Sequence, residues 1–231
     1  MSLKIYVDTA SIEEIEALVR DPLIQGVTCN PTIMRKCGVV NYRDFALAAI
    51  GMLGDKPISL EVVADEPDAM KDQARKIASW GKNIYVKVPI VNSRGESTED
   101  VIHDLTHFGV KVNVTAVMTA KQVDRIYNAL TMTPAIVSVF CGRISDTGRD
   151  PVRTMRQCAD ILQRRQNVEL LWASVRSVRD VYLAEDCGTH IITLAPDLLA
   201  KLALKDKDLD EYSRETAAQF YNDGKEAGYS I

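Results

Sequence analysis

The sequence has no long hydrophobic run. Its longest core-like stretch, Pro134 to Cys141, holds eight residues, against the roughly 18 that a membrane-spanning helix needs. No membrane partner is expected. The first ten residues, MSLKIYVDTA, carry neither an apolar leader core nor a cleavage signature, so no signal peptide is expected. Cysteine is sparse and scattered: Cys29, Cys37, Cys141, Cys158 and Cys187 form no C-x-x-C pair. An odd, dispersed set excludes a disulfide framework and fits reduced thiols in a cytoplasmic protein. Histidine is rarer still. His103 and His107 stand four apart, a spacing that can hold a metal, but no third ligand follows at a useful distance, so no metal is expected. There is no G-x-G-x-x-G, no P-loop and no G-x-S-x-G, so no nucleotide cofactor is expected. Basic excess is also missing. Lys and Arg total 28 and Asp and Glu 32, a net charge of −4. That excludes general nucleic-acid binding and leaves room for a local basic pocket around a small phosphate.

What is present is an ordinary globular composition, 46% hydrophobic and 26% charged, in 231 residues. That length buries a core without staples. Short β-type runs alternate with longer helical patterns along the chain. Strands are expected near Lys4–Val7, Gly26–Cys29, Ile58–Val62, Ile84–Val88, Val112–Thr115, Ala135–Val139, Leu170–Ala173 and His190–Leu194. Amphipathic segments lie between them at Ile12–Val19, Tyr42–Leu53, Asp68–Ser79, Val101–Phe108, Lys121–Leu130 and Val152–Gln163. Ser11 ahead of Glu13 and Glu14, and Asp150 ahead of Pro151, are helix starts. Gly81 and Gly109 stand where helices should stop. Strand–helix units of this number in about 200 residues predict a (β/α)₈ TIM barrel, with a doubly wound open sheet as the alternative. No linker interrupts the pattern, so residues 1–231 read as a single barrel domain, with 208–229 as a C-terminal helical extension.

A barrel builds its site at the carboxyl ends of its strands. Polar residues gather at those ends: Asp8, then Thr28 and Asn30, Glu61, Lys87, Asn113 and Thr115, Ser138 and Arg143, and last Ser174 and Arg176. Strand 8 adds Thr193 and nothing ionisable. Alternation in Ile84-Tyr85-Val86-Lys87-Val88 puts the aliphatic residues on one face and Lys87 on the other, pointing into the barrel. Burial there favours the neutral amine, the form that attacks a carbonyl to make a Schiff base. Asp8 and Glu61 are the acid–base candidates such chemistry requires. Arg143, Ser174 and Arg176 form a candidate phosphate clamp, because guanidinium groups grip phosphate through paired hydrogen bonds.

The stretches VDTAS, GVTCNPT, LEV, VKVP, VNVTA, VFCGRISD and ASVR, in that order over residues 7 to 176, resemble the small-subunit transaldolase and fructose-6-phosphate aldolase family. The resemblance implies a (β/α)₈ class I aldolase without a metal. It implies Lys87 as the Schiff-base lysine, Asp8 as acid–base aspartate, and Asn30 as the asparagine of the T-x-N-P motif. It gives Thr115 a catalytic water to hold, Arg143 the phosphate, and Ser174 and Arg176 the S-x-R turn. Asn113 and Asn30 would hold substrate hydroxyls, with Thr28 and Ser138 beside them. Within the family, Glu after strand 3 and Phe before the G-R-I motif mark transaldolases, where the aldolases carry Gln and Tyr. Glu61 and Phe140 therefore resemble the transferase pattern. The implied reaction moves a dihydroxyacetone unit from a ketose phosphate to an aldose phosphate. In the pentose phosphate pathway, sedoheptulose 7-phosphate and glyceraldehyde 3-phosphate would give erythrose 4-phosphate and fructose 6-phosphate. A lyase releasing dihydroxyacetone is the alternative, and a non-catalytic phosphosugar-binding protein a third. The resemblance also implies a homo-oligomer, commonly a decamer. The segment Glu211–Tyr229 keeps Ala217, Phe220 and Tyr221 among charges, a stripe that a single helix must bury somewhere.

Overall fold

The computed structural model describes residues 3–230. Met1, Ser2 and Ile231, at the ends of the expected 1–231 domain, lie outside the described residues. The chain forms two compact units, one running through Leu199 and the other starting at Ala200.

The first unit contains eight strands: β1 (Lys4–Asp8), β2 (Ile24–Thr28), β3 (Ile58–Glu61), β4 (Ile84–Pro89), β5 (Val112–Val117), β6 (Ala135–Val139), β7 (Val168–Trp172) and β8 (Ile191–Leu194). They pair in chain order, all parallel, and β1 pairs with both β2 and β8. That closure makes a (β/α)₈ barrel and removes the open-sheet alternative. The valines and isoleucines behind the strands are fully covered; Val86, Val88, Val112 and Val114 have no exposed surface. Burying one such side chain contributes about 1.5–3 kcal/mol. Inside the barrel, Tyr6, Ile136, Leu171, Ala173 and Ile191 form an apolar plug.

Between the strands run α1 (Ile12–Leu18), α2 (Pro31–Lys36), α3 (Tyr42–Leu53), α4 (Pro67–Ala78), α5 (Glu99–His107), α6 (Ala120–Ile126), α7 (Cys141–Asp146), α8 (Pro151–Leu162) and α9 (Arg179–Asp186), and α10 (Pro196–Ala200) follows β8. The expected caps are in place. Ser11 Oγ accepts from the Glu14 amide, and Asp150 accepts from the Val152 amide ahead of Pro151. Gly109 takes a left-handed φ of 80° just past the cap of α5. Gly81 does not serve this way: α4 already ends at Ala78 and caps on Ser79. The C-cap of α2 is Cys37, the one exposed cysteine.

Two strands differ from expectation for a packing reason. β2 begins at Ile24 and carries Gly26 in its middle. A Cβ at Gly26 would lie 2.7 Å from the Tyr6 ring, so this glycine makes room for an aromatic instead of opening a turn. β5 continues past Thr115 through a register shift against β6, with Ala116 at a positive φ of 58°.

The second unit holds a short 3₁₀ turn, Lys201–Leu204, and α11 (Leu209–Glu226). Asp208 caps α11 by accepting from the Glu211 amide at 2.8 Å. Lys207 pairs with Glu215 and lies over the Tyr212 ring. Leu209 and Phe220 are 78% and 68% exposed.

Candidate active site

The register of the barrel wall brings the reactive residues together. Glu61 on β3 pairs with Lys87 on β4, which pairs with Asn113 on β5. Alternation sends all three side chains inward while Val86 and Val88 face the helices. Lys87 is only 5% exposed. Its Nζ donates to the Cys29 carbonyl at 2.9 Å and lies 3.2 Å from Glu61 Oε2. The buried amine thus meets one carboxylate and one carbonyl dipole, and it also lines the pocket.

Asp8 and Thr28 are neighbours across β1 and β2. Thr28 Oγ1 donates to Asp8 Oδ1 at 2.7 Å and lies 2.6 Å from Thr193 Oγ1. A threonine hydroxyl has one proton, so when Thr28 gives its proton to Asp8 the Thr193 hydroxyl must donate to Thr28. Burial pushes the Asp8 carboxyl above its ordinary range, against the opposing pull of Lys87 and of the Thr28 bond. A carboxyl poised in this way takes up and returns a proton more readily than an exposed aspartate.

The polar layer continues on the far wall. Asn113 Oδ1 accepts from Ser138 Oγ at 2.6 Å, and Asn113 Nδ2 donates to Ser59 Oγ at 3.0 Å. Both ends of the amide are therefore oriented, with one N–H left over. Asn30 caps α2 through Oδ1, which accepts from the Ile33 amide at 3.0 Å. That fixes its amide nitrogen as the group available to a ligand. Thr115 Oγ1 is buried and has no hydrogen-bond partner in the protein among the described residues.

The anion-binding end is built by a close backbone approach. Ser174 has a positive φ of 62°. A Cβ on Gly142 would fall 1.5 Å from the Ser174 carbonyl oxygen, so only glycine lets α7 approach this turn. Arg143, next along α7, places its guanidinium carbon 5.8 Å from the centre of the Phe140 ring. Arg176 stands apart. Its Nε and Nη2 donate to the two Asp146 carboxylate oxygens at 3.1 and 2.6 Å, and this pairing holds the Asp146 carboxyl below its ordinary range.

Of the residues expected from sequence, Asp8, Thr28, Asn30, Lys87, Asn113, Thr115, Ser138, Phe140, Arg143 and Ser174 line one cavity of about 90 Å³. That is about three water volumes, room for a three-carbon fragment. Glu61 touches the cavity through Lys87, and Arg176 is outside its lining. Sequence reasoning passed over Ser59 and Asp146 and gave Thr193 no role. Ser59 was within reach, since it lies two residues before Glu61 on the same strand face. Asp146 was not, because its partner is 30 residues away, beyond α8 and β7. The rings of His103 and His107 stack at 5.9 Å. No group of three or more metal-ligating side chains occurs among the described residues.

The barrel is also found in solved structures of a mandelate oxidase variant. One, bearing an FMN adduct, matches 90% of this chain and 68% of its own, with a TM-score of 0.56 and 14% identity. Identity that low speaks to the fold alone. Sequence comparison reaches further. "Probable transaldolase 2" of Listeria monocytogenes is 32% identical over 228 residues, covering 96% of this chain and all of that protein. "Probable transaldolase" of Streptococcus agalactiae is 32% identical over 221 residues, covering 92% of this chain and 97% of the relative. The family model for transaldolase/fructose-6-phosphate aldolase matches residues 5–231. Matched along nearly its whole length, the chain belongs to the transaldolase/fructose-6-phosphate aldolase family.

Proposed function

We propose that this transaldolase-type enzyme works through a Schiff base on Lys87. The observation that carries the reading is a lysine amine buried at a barrel-strand end, 3.2 Å from the Glu61 carboxylate and sharing a cavity with Asp8. With its proton passed to Glu61, the amine attacks the C2 carbonyl of a ketose phosphate. Water leaves the carbinolamine with proton help from Glu61, and Thr115 Oγ1 holds that water. Asp8 then takes the C4 hydroxyl proton as the C3–C4 bond breaks and the aldose phosphate departs. A three-carbon enamine stays on Lys87, its hydroxyls held by Asn30 and Asn113. It adds to a second aldose phosphate, Asp8 returns the proton, and water then hydrolyses the new iminium, releasing the ketose phosphate and freeing Lys87. Arg143 and Ser174 receive the phosphate, and Arg176 joins them when it exchanges Asp146 for the anion.

Glu61 and Phe140 favour transfer over release. Phe140 offers the trapped enamine no hydroxyl, so the intermediate lacks a proton donor there and waits for an acceptor. The substrates proposed are sedoheptulose 7-phosphate and glyceraldehyde 3-phosphate, exchanged for erythrose 4-phosphate and fructose 6-phosphate in the cytoplasmic pentose phosphate pathway. No helix among the described residues is long and apolar enough to cross a membrane. The exposed Leu209, Tyr212 and Phe220 of α11 support a homo-oligomer, with the decamer of the family as the expected form.

Borohydride added with fructose 6-phosphate tests the mechanism. It should trap the iminium, inactivate the enzyme and mark Lys87 with a three-carbon unit. Lys87→Met should fold, since Met suits an apolar site, and should lose turnover by many orders of magnitude. A label on Lys82 or Lys111, or substantial activity in Lys87→Met, would sink the assignment. Turnover of fructose 6-phosphate without an acceptor aldehyde would instead favour the lyase.

A further inference from the structure

Outside the catalytic cavity, a second one of about 290 Å³ opens between α3 and α4. Its size is close to the lower end of small-molecule sites. Its floor is aromatic and aliphatic: the Tyr42 and Trp80 rings stand 6.1 Å apart, tilted by 53°, beside the buried Ile77, while Val63 lines the exposed side. Its rim is basic. Arg43 and Lys76 line it, both exposed, and neither has a carboxylate within ion-pair distance among the described residues. The contrast within α4 is sharp: Lys71 pairs with Asp104 and Arg75 with Asp72, while Lys76 pairs with nothing. Gln73 adds a donor. Its Oε1 accepts from the Val63 and Ala64 amides at 2.8 and 2.9 Å, leaving its amide nitrogen free to donate.

We propose that the α3–α4 cavity is a binding site for a small planar aromatic anion, its ring against Tyr42 and Trp80 and its acidic group between Arg43 and Lys76. Stacking and cation contacts of this kind suit a flat ligand with one anionic end. Glu61 is the only acid in the lining, and its carboxylate already faces Lys87. The site is coupled to the catalytic centre by one hydrogen bond, since the Tyr42 hydroxyl donates to the Glu61 carbonyl at 2.7 Å. A ligand moving the Tyr42 ring would therefore act on the strand end that places Glu61.

Benzoate is a suitable probe, and tryptophan emission the readout. The chain has two tryptophans, and Trp172 is fully buried in the barrel wall, so a surface ligand reports through Trp80. Millimolar benzoate should change the emission saturably. Arg43→Gln with Lys76→Gln, both at exposed positions, should weaken binding at least tenfold, and Trp80→Phe should abolish the response. Arg143→Ala should leave binding unchanged. The inference is overturned by no saturable response, by equal binding in the double variant, by equal binding of neutral benzyl alcohol, or by loss in Arg143→Ala, which would put the probe in the catalytic cavity. A response that vanishes as protein concentration rises would also overturn it, by showing a second copy in the cavity. None of these readouts depends on turnover, so they leave the Schiff-base proposal untouched.

Discussion

At Asp8, stability and chemistry pull in opposite directions. Its folded-state pKa lies above the unfolded value of 3.8. Between those two values the native state binds more protons than the unfolded chain. Stability therefore falls as pH rises from 3.8 through the folded value, and above it the cost of the buried carboxylate is fully present. Asp8→Asn keeps an oxygen to accept from Thr28 and removes the charge. The variant should melt higher than the parent at pH 7.5, with the gap narrowing towards pH 4.5, while turnover drops by about 10²–10⁴. Thermal scans at the two pH values check this; a lower melting point at pH 7.5 would contradict it. Arg143→Ala should act on binding instead. Losing a charge-assisted contact of about 1.5–3 kcal/mol raises KM for phosphorylated substrates by roughly ten- to a hundredfold. Steady-state kinetics should show kcat much less affected.

Among the elements, the pairing of α7 with the turn after β7 is the least tolerant. Gly142→Ala would set a methyl 1.5 Å from a backbone oxygen, which cannot swing away as a side-chain tip can. About 1–3 kcal/mol or more of destabilisation should follow, with the Ser174–Arg176 turn displaced and phosphate affinity reduced. Gly51→Ala is the matched control. It lies inside α3 with nothing within 4 Å, and should stabilise by up to about 1 kcal/mol. Chemical denaturation of both variants measures the difference. The same elements show what sequence could reveal. Aliphatic alternation located every strand, and the inward face of β4 singled out Lys87. Helices α2 and α7, of six residues each, were too short for their periodicity to register. Gly26 looked like a strand start because a glycine's packing partner, here Tyr6, is invisible in one dimension. The Asp146–Arg176 pair escaped for the same reason.

For the whole molecule, the barrel's closure joins residues far apart in sequence, such as Lys4 and Glu169, at 2.7 Å. The chain must therefore complete long-range pairings before its site exists. The oligomer is tested at this scale: light scattering should give a mass well above 25.6 kDa, and a monomer persisting at high concentration would refute assembly. Burial in the first unit also has an analytical use. Four thiols sit inside, where burial raises the Cys29 and Cys158 pKa values to about 12 and lifts those of Cys141 and Cys187 as well. A maleimide at neutral pH should consume one equivalent quickly, at Cys37, and the other four only as fast as the barrel opens. The slow phase is then a clock for unfolding, read without denaturant, and the fast one an address for a single dye.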